Sequence, residues 1–373
     1  MSLDFKILAT DANARLGRIR LPRATVSTPA FMPVGTAAAV KTVTASEVRA
    51  SGSEIILGNT FHLSLRPGVD IIARHGGLHE FMRWDGPILT DSGGFQVWSL
   101  AKPKDIGESG VIFHSPFDGS RVFMGPDESI AVQQQLGSDI AMVFDECTRY
   151  PATFDEARTS MLRSLRWTLR CRDIHRGENQ ALFGIAQGGL YEELRIEALE
   201  ALAAMQFDGY ALGGLSVGEK SQDMHHLLSR VAPRMPPSAP RYLMGVGKPE
   251  NLLAGVAAGI DMFDCVLPTR NARNGWLYTH SGIVRLKNAI YREDMAAVES
   301  DCPCITCQEY SRSYLRHLYS SGEMLGPRLG TIHNLHFFQR LMTSIRTAIE
   351  QQRLQEFIDD FLGRYRADGC PMA

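Results

Sequence analysis

Short apolar runs alternate with amphipathic helical patterns along most of this chain, and the alternation predicts an α/β protein built on a (β/α)8 TIM barrel. Seven such runs begin at residues 54, 87, 139, 181, 209, 241 and 259. A polar residue or a glycine follows most runs, as expected where barrel strands open onto one shared face. A doubly wound parallel sheet is the alternative, but it would bring fewer strand ends together at its switch point.

A change of rhythm divides the chain into four parts, which are residues 1–40, 41–292, 293–333 and 334–373. The first part carries short apolar runs broken by glycine, proline and asparagine, which predicts an N-terminal antiparallel sheet. The second part is assigned to the barrel, with helices expected over 154–175 and 191–205. The third is expected to form a subdomain around a cysteine cluster, and the fourth a C-terminal helix that packs back on the barrel.

Composition excludes several classes of protein. The 373 residues carry 39 Lys+Arg and 41 Asp+Glu, a net charge of −2, which excludes a uniformly basic nucleic-acid coat and an acidic solvating tail. No apolar stretch approaches the ~20 residues that span a bilayer, and no secretory signal is visible. Seven cysteines are too few and too unevenly placed for a disulfide framework in so long a chain. A cytoplasmic protein without a membrane association is therefore expected.

Three cysteines lie within six residues, at Cys302, Cys304 and Cys307, and His333 follows after 25 further residues. Three thiolates and one imidazole make the closed tetrahedral shell that is typical of structural Zn²⁺. Three unrelated buried cysteines are the structural alternative. The pattern therefore predicts one structural zinc ion and a C-terminal zinc-binding subdomain.

Two further histidines, His317 and His336, lie near this pattern and are alternatives to His333 as the fourth ligand. Gly330 and Thr331 are typical of a loop, which would place His333 just ahead of a helix over 334–349. His336 would then lie inside that helix, so His333 is preferred.

Carboxylates and amides follow several of the predicted strands. Asp91 and Asp145 follow the second and third runs, Gln187 and Gly214 follow the next two, and Asp264 ends the last. A barrel would gather all of these groups at its C-terminal face. Each carboxylate also has a structural alternative, which is a helix N-cap for Asp91 and an ion pair at the barrel rim for Asp145.

A cationic segment without any acidic residue runs from residue 265 to residue 292. Its charged and aromatic residues are Arg270, Arg273, Arg285, Lys287, Arg292, Trp276, Tyr278 and Tyr291. Such a run is usually a solvated face, but its position directly after Asp264, with aromatic surfaces available for stacking, favours nucleic acid brought to an active-site acid. Two carboxylates in one pocket suit glycosidic chemistry, and a flipped base is read by hydrogen bonds and stacking. On the residues alone, either Asp91 or Asp264 could attack.

The motifs resemble those of the queuine tRNA-ribosyltransferases, also called tRNA-guanine transglycosylases. The matching segments are TDSGGFQV at 90–97, FDEC at 144–147, AQGG at 186–189, GGLSVGE at 213–219, YLMGVGKPENLL at 242–253 and DMFDCVLPTRNARNG at 261–275. The zinc pattern also matches, and the similarity extends over nearly the whole chain.

The resemblance implies a pentosyltransferase of queuosine biosynthesis that exchanges the wobble guanine of tRNAs with a GUN anticodon for a 7-deazaguanine base. It implies that Asp264 is the nucleophile that takes ribose C1′ and that Asp91 is the general acid/base. The implied base pocket consists of Ser92, Gly93, Phe95, Asp145, Gln187, Gly213, Gly214, Leu215, Val217 and Met244. In that pocket the base edge binds Asp145 and Gln187, Gly214 and Leu215 contribute backbone groups, and the ring lies between Phe95 and Met244.

The resemblance also implies the RNA-contacting residues Gly245, Val246, Gly247, Lys248, Pro249, Glu250, Asn251, Thr269, Arg270, Asn271, Ala272 and Arg273. Val217 matches the bacterial pattern, in which the substrate is 7-aminomethyl-7-deazaguanine, whereas eukaryotic relatives carry a smaller residue that admits queuine. A homodimer is implied as well.

Two other functions compete with this interpretation. One is a cytosolic (β/α)8 retaining glycoside hydrolase that uses Asp91 and Asp264, and the basic segment argues against it. The other is a tRNA-binding non-catalytic paralogue, which is disfavoured because both carboxylates are present.

Overall fold

The computed structural model describes residues 3–96, 105–177 and 179–367, so Val97 of the motif at 90–97 lies outside the described residues. Its strands are β1 (Asp4–Asp11), β2 (Ala14–Arg20), β3 (Thr25–Thr28), β4 (Ala30–Gly35), β5 (Ile56–Gly58), β6 (Ile88–Thr90), β7 (Val111–His114), β8 (Arg121–Met124), β9 (Ile140–Met142), β10 (Ala181–Ala186), β11 (Gly209–Leu212), β12 (Arg241–Leu243), β13 (Met262–Cys265), β14 (Trp276–Thr279) and β15 (Gly282–Arg285). Its α-helices are α1 (Ala45–Ala50), α2 (Thr60–Leu65), α3 (Val69–Arg74), α4 (Leu78–Met82), α5 (Pro126–Leu136), α6 (Phe154–Ile174), α7 (Glu192–Met205), α8 (Ser221–Val231), α9 (Pro249–Ala258), α10 (Leu267–Arg273), α11 (Ile305–Glu309), α12 (Arg312–Ser321), α13 (Leu325–Glu350) and α14 (Leu354–Ala367).

Eight strands form a closed parallel barrel, in the order β4, β5, β6, β9, β10, β11, β12 and β13, and β13 pairs with β4. They follow one another around the barrel in chain order, with helices between them. Strands β1, β2 and β3 form an antiparallel sheet, while β7–β8 and β14–β15 are separate hairpins. The predicted fold class is therefore confirmed, and the two long helices expected from periodicity are α6 and α7.

The N-terminal boundary at residue 40 is wrong, because β4 is the first strand of the barrel. All six of its residues are buried, and it pairs with β5 on one side and β13 on the other. The apolar run at 31–34 follows three antiparallel strands without an intervening helix. The sequence around this run therefore predicts, incorrectly, that it belongs to the antiparallel sheet.

The last barrel helix is α13, which reaches the barrel only after the chain has formed the zinc-binding subdomain. Gln339 Nε2 donates to the carbonyl oxygen of Phe31 at 3.0 Å, and Arg346 Nη1 donates to that of Pro29 at 2.8 Å. The rings of Phe31 and Phe338 lie 4.7 Å apart. The subdomain is thus an insertion between the eighth strand and the eighth helix of the barrel.

The expected helix start near residue 334 is also wrong, because Gly330 and Thr331 lie inside α13. A Cβ atom at Gly330 would stand 2.1 Å from the Tyr319 hydroxyl oxygen, so the glycine serves close packing. Thr331 is fully buried, and its hydroxyl lies 2.9 Å from that of Thr42. Both residues are small for packing reasons and do not mark a loop.

The N-terminal sheet is tied to the barrel by a buried ion pair. Arg15 Nε donates to Asp261 Oδ1 at 3.1 Å, and Asp261 Oδ2 accepts from the backbone N–H of Arg241 at 2.7 Å. Because Arg241 begins β12 and Asp261 precedes β13, this pair lies at the N-terminal end of the barrel. The strand ends that carry the predicted site lie at the other end. None of the helices in the described parts of the chain is both long and apolar enough to cross a bilayer.

Candidate active site and metal site

A cavity of about 350 Å³ opens at the C-terminal ends of the barrel strands. It is lined by all twelve residues predicted as catalytic or base-binding, which are Asp91, Ser92, Gly93, Phe95, Asp145, Gln187, Gly213, Gly214, Leu215, Val217, Met244 and Asp264. These residues come from six strand ends, those of β6, β9, β10, β11, β12 and β13. The volume falls in the lower part of the range of small-ligand sites, ~300–1,000 Å³.

Asp91 follows β6 directly and is almost completely buried. Its carboxylate accepts hydrogen bonds from the Asn59 side chain, from the backbone N–H of Thr60 at 2.8 Å and from Gln96 Nε2 at 2.9 Å. Burial raises the pKa of Asp91 to about 6, against these hydrogen bonds, and the negative charge of Asp264 adds to the rise. A carboxyl group with this pKa exchanges protons readily near neutral pH.

Asp264 lies in β13, and its side chain is partly exposed to the cavity. Its Oδ1 atom accepts from the Tyr242 hydroxyl at 2.6 Å and from the backbone N–H of Gly245 at 2.7 Å. Burial raises the pKa of Asp264 above its usual value, while these two hydrogen bonds lower it. Both hydrogen bonds found among the described residues go to Oδ1, so the other oxygen is the one available to a ligand.

Asp145 and Gln187 form a buried polar pair on the cavity wall. Gln187 Nε2 donates to Asp145 Oδ2 at 2.7 Å, and the Ser92 hydroxyl donates to Asp145 Oδ1 at 3.0 Å. Burial raises the pKa of Asp145. Gln187 Oε1 is buried and, among the described residues, accepts no hydrogen bond. A buried acceptor of this kind is costly unless a ligand donates to it.

The loop after β11 places backbone groups against this pair. Gly214 has φ +65°, and a Cβ atom there would stand 2.4 Å from Gln187 Oε1, so only glycine fits. The Glu219 carboxylate accepts from the backbone N–H groups of Ser216 and Val217, the latter at 2.9 Å. Val217 and Gly214 also line a second cavity of about 270 Å³. Val217 therefore lies where the two cavities adjoin.

Sequence reasoning missed several cavity residues. Asn59 follows the apolar run of β5, which is the same signal that identifies the strand-end acids, but it is not among the predicted site residues. Tyr242 lies within β12 as a member of an apolar run, and nothing in the pattern marks its hydroxyl. His62 also lines the cavity, and burial followed by the charge of Lys41 lowers its pKa.

The segments predicted to contact RNA follow β12 and β13, whose ends line the cavity, but only some of their side chains are accessible. Gly245, Lys248 and Arg270 are exposed, and Glu250, Asn271 and Arg273 are partly exposed. The remaining predicted residues are buried. They are Val246, Gly247, Pro249, Asn251, Thr269 and Ala272. The buried members pack the loop and helix and offer no side chain to a ligand.

The aromatic residues of the basic segment are not all free to stack on bases. Tyr278 is only 2% exposed, and its ring stacks on Phe337 at a centroid distance of 5.7 Å. It is therefore a core residue, and its inclusion as a stacking surface was wrong. Trp276 is exposed, and the Arg285 guanidinium lies over its ring at 4.7 Å.

Cys302, Cys304, Cys307 and His333 converge in the C-terminal subdomain, with their ligand atoms all within 4.8 Å of one another. The His333 Nδ1 atom lies 3.8, 3.6 and 3.2 Å from the three sulfur atoms in that order. Tetrahedral Zn²⁺ with ordinary bond lengths requires sulfur–nitrogen separations of about 3.6 Å. His333 Nε2 lies 2.7 Å from the carbonyl oxygen of Tyr278, and a proton donated there leaves Nδ1 free for a metal. The cluster can hold a metal ion and fits a structural zinc.

Comparison with known proteins decides which family carries this site. A model of the queuine tRNA-ribosyltransferase family matches residues 11–367. The chain belongs to the queuine tRNA-ribosyltransferase family. The queuine tRNA-ribosyltransferase of Azotobacter vinelandii is 56% identical over 362 residues, which cover 97% of this chain and 98% of the relative. Those of Aeromonas hydrophila and Thioalkalivibrio sulfidiphilus are 55% and 56% identical, covering 99% of this chain and 98% and 99% of the relatives.

Membership of the queuine tRNA-ribosyltransferase family confirms the resemblance inferred from the motifs. It identifies the chain as an enzyme, a transferase that modifies tRNA. It also excludes the glycoside hydrolase alternative as the best description of the barrel.

Proposed function

We propose that this enzyme exchanges the wobble guanine of tRNAs with a GUN anticodon for 7-aminomethyl-7-deazaguanine, through a covalent intermediate on Asp264. The observation that carries the proposal is the meeting of Asp91, Asp264 and the Asp145–Gln187 pair in one cavity. Two carboxylates provide the nucleophile and the acid/base of a retaining glycosyl transfer. The polar pair provides recognition of a planar base. A non-catalytic paralogue is disfavoured because both carboxylates are present and line the cavity.

In the first half-reaction an Asp264 oxygen attacks C1′ of the nucleotide, and the bond between C1′ and the base nitrogen breaks. The electron pair of that bond goes to the base, which takes a proton from Asp91. In the second half-reaction the incoming base gives its proton to Asp91 and attacks C1′, which releases Asp264. The pKa of about 6 for Asp91 suits both directions of proton transfer, and the Tyr242 and Gly245 donors support ionised Asp264.

Recognition of the base rests on the wall formed by Gln187, Asp145 and the loop at 213–215. Guanine and its 7-deaza relatives carry N–H donors, which would satisfy the unpaired Gln187 Oε1 atom and the Asp145 carboxylate. Phe95 is half exposed and Met244 is partly buried at the cavity, as a pair that covers the ring would be. Val217 is expected to limit the substituent at C7 of the base to a small group.

Binding of the tRNA backbone is assigned to the exposed part of the basic segment. Arg270 is exposed, and burial followed by the charge of Arg270 lowers the pKa of Arg273. Lys248 adds a third cation ahead of α9. Cations that repel one another in the free protein are stabilised by phosphates, so tRNA binding should weaken as salt rises.

The zinc site is proposed to be structural. Its four protein ligands leave no open coordination position for a substrate, so the metal would hold the subdomain together and not take part in base exchange. Apolar side chains of this subdomain and its flanks are exposed, namely Ile290, Met295, Ile305, Tyr314, Met324 and Leu325. They support a homodimer through this face, which light scattering of the purified protein would test. A tRNA substrate also agrees with the expected cytoplasmic location.

The test of the function is incorporation of labelled guanine into tRNA, with and without 7-aminomethyl-7-deazaguanine as competitor. Asp264→Asn should abolish exchange and any denaturation-resistant enzyme–RNA adduct, while tRNA binding stays within a few fold. Asp223→Asn removes an exposed carboxylate on α8 and serves as the control, with exchange unchanged. An Asp264→Asn variant that still forms the adduct would refute the assignment of the nucleophile.

A further inference from the structure

Arg195, in the first turn of α7, is a completely buried arginine. Its Nη1 atom donates to the carbonyl oxygens of Ala186 and Gly213, both at 2.7 Å, and its Nε atom donates to that of Gly189 at 3.0 Å. Among the described residues, no carboxylate oxygen pairs with it within 4.0 Å. All three of its hydrogen bonds therefore go to peptide carbonyl groups, and the negative charges of Glu219 and Asp145 act on it without direct contact.

The three carbonyl groups belong to the ends of β10 and β11 and to the loops that follow them, which form the base-binding wall. Ala186 is the last residue of β10 and precedes Gln187, while Gly213 follows β11 and precedes Gly214. One nitrogen atom of Arg195 thus joins the ends of two adjacent strands at the residues directly before the recognition groups. Gly188 approaches this helix so closely that a Cβ atom there would stand 3.0 Å from the backbone nitrogen of Arg195.

Burial of a guanidinium group carries a large desolvation cost. Burial lowers the pKa of Arg195 to about 10, so the group stays charged at neutral pH, and its Nη2 atom makes no hydrogen bond among the described residues. An apolar side chain of similar volume would avoid this desolvation. What an apolar side chain cannot do is hold two carbonyl groups in a fixed geometry, which is the particular property of the planar guanidinium fork.

We propose that Arg195 is a positioning residue for base recognition, which holds the ends of β10 and β11 so that Gln187 and Gly214 meet the edge of the base together. The proposal rests on the proposed function. Gly214 lies so near Gln187 Oε1 that a shift of either strand end would misalign the acceptor and the neighbouring peptide groups. The carboxylates Asp91 and Asp264 stand on other strands and should keep their geometry. The effect of losing Arg195 is therefore expected on base binding and not on the chemical steps.

The test compares Arg195→Lys and Arg195→Gln with wild type in the labelled exchange assay. Both variants should raise KM for the base about tenfold or more, with kcat and KM for tRNA within about threefold. Calorimetry of guanine binding to the free enzyme should show the same loss. Arg241→Lys is the matched control, since Arg241 is a buried arginine that donates to the carbonyl of Met235 at 2.7 Å at the opposite end of the barrel. It should lower the melting temperature and leave KM for the base unchanged.

A folded Arg195 variant with wild-type base KM would overturn the proposal, as would an equal loss of base affinity in Arg241→Lys. If Arg195→Gln does not fold, the lysine variant decides the matter, because it keeps the buried charge but not the fork. Wild-type enzyme without exchange activity would instead refute the proposed function. Calorimetry with guanine would still test Arg195 in that case.

Discussion

Replacement of Tyr242 by phenylalanine should move the pH dependence of the reaction by a predictable amount. The change removes only the hydroxyl that donates to Asp264 Oδ1 at 2.6 Å, and the Gly245 N–H remains on the same oxygen. A hydrogen bond to an ionised group contributes about 1.5–3 kcal/mol, and one pH unit corresponds to ~1.36 kcal/mol. Because Asp264 must be ionised to attack, the acidic limb of kcat/KM for tRNA should rise by about one to two pH units.

The assay is labelled-guanine exchange over a pH series, with kcat/KM fitted at each pH. Tyr210→Phe is the control, because its buried hydroxyl on the neighbouring strand accepts from the Phe207 N–H at 3.2 Å and lies outside the cavity lining. It should leave both limbs of the profile in place. An acidic limb of Tyr242→Phe within about 0.3 pH units of wild type would refute the role given to Asp264.

The same substitution also changes the stability of the fold. The pH dependence of that change is opposite in sign to the one expected for a salt-bridged carboxylate. Burial has raised the pKa of Asp264 above its unfolded value, so ionisation of this group destabilises the fold as pH rises. Loss of the Tyr242 hydroxyl increases that cost. The melting temperature should therefore fall at about pH 8 and remain close to wild type at about pH 3, where Asp264 is protonated in both states.

Three further substitutions test other parts of the molecule. Val217→Gly should raise kcat/KM for queuine relative to that for the aminomethyl base, chiefly through a lower KM for queuine, because it opens the way to the adjoining cavity of about 270 Å³. The aminomethyl base should lose only ~1–3 kcal/mol of binding free energy. Val266→Ala, which alters only the first cavity, is its control, and a ratio within about twofold of wild type in Val217→Gly would contradict the size rule. Cys304→Ser should lose zinc and melting temperature together, as metal analysis and calorimetry would show, and full zinc occupancy would exclude Cys304 as a ligand. Gly330→Ala should lower the free energy of unfolding in urea by about 1–3 kcal/mol, because the new methyl group meets the Tyr319 hydroxyl, although alanine has the better helix propensity. Tyr319→Phe should restore part of this loss. A Gly330→Ala variant more stable than wild type would contradict the packing argument.

The sequence predicted most barrel strands because each is a short apolar run that ends in a polar residue. Strand β4 could not be predicted as a barrel strand in this way, because it carries the same kind of run but no helix precedes it. The start of α13 escaped for a different reason. Gly330 and Thr331 have loop-like composition, yet a neighbouring side chain requires their small size. Contacts between segments distant in sequence leave no periodic trace in either of them.

The active site also contains some residues that the sequence predicts and others that it does not. Asp91 and Asp264 could be predicted because they stand at strand ends, where a barrel gathers its polar groups. The groups that tune them could not, since the Tyr242 hydroxyl lies in an apolar run and Asn59 donates from the end of the adjacent strand, β5. The inclusion of Tyr278 as a surface aromatic failed because exposure depends on α13, which packs over it.

The pairing of β13 with β4 has a consequence for how the protein is made. Ala30 meets Met262, so the ring of strands is completed by residues on the order of 200 positions apart, and the growing chain leaves the ribosome with an open sheet until the eighth strand emerges. That open sheet exposes two unpaired edges, which are sites of misassociation with other nascent chains. The strand that removes both edges also carries Asp264. Synthesis therefore delivers the proposed nucleophile at the moment the barrel closes, and a chain released earlier has neither a sealed core nor the means to attack RNA.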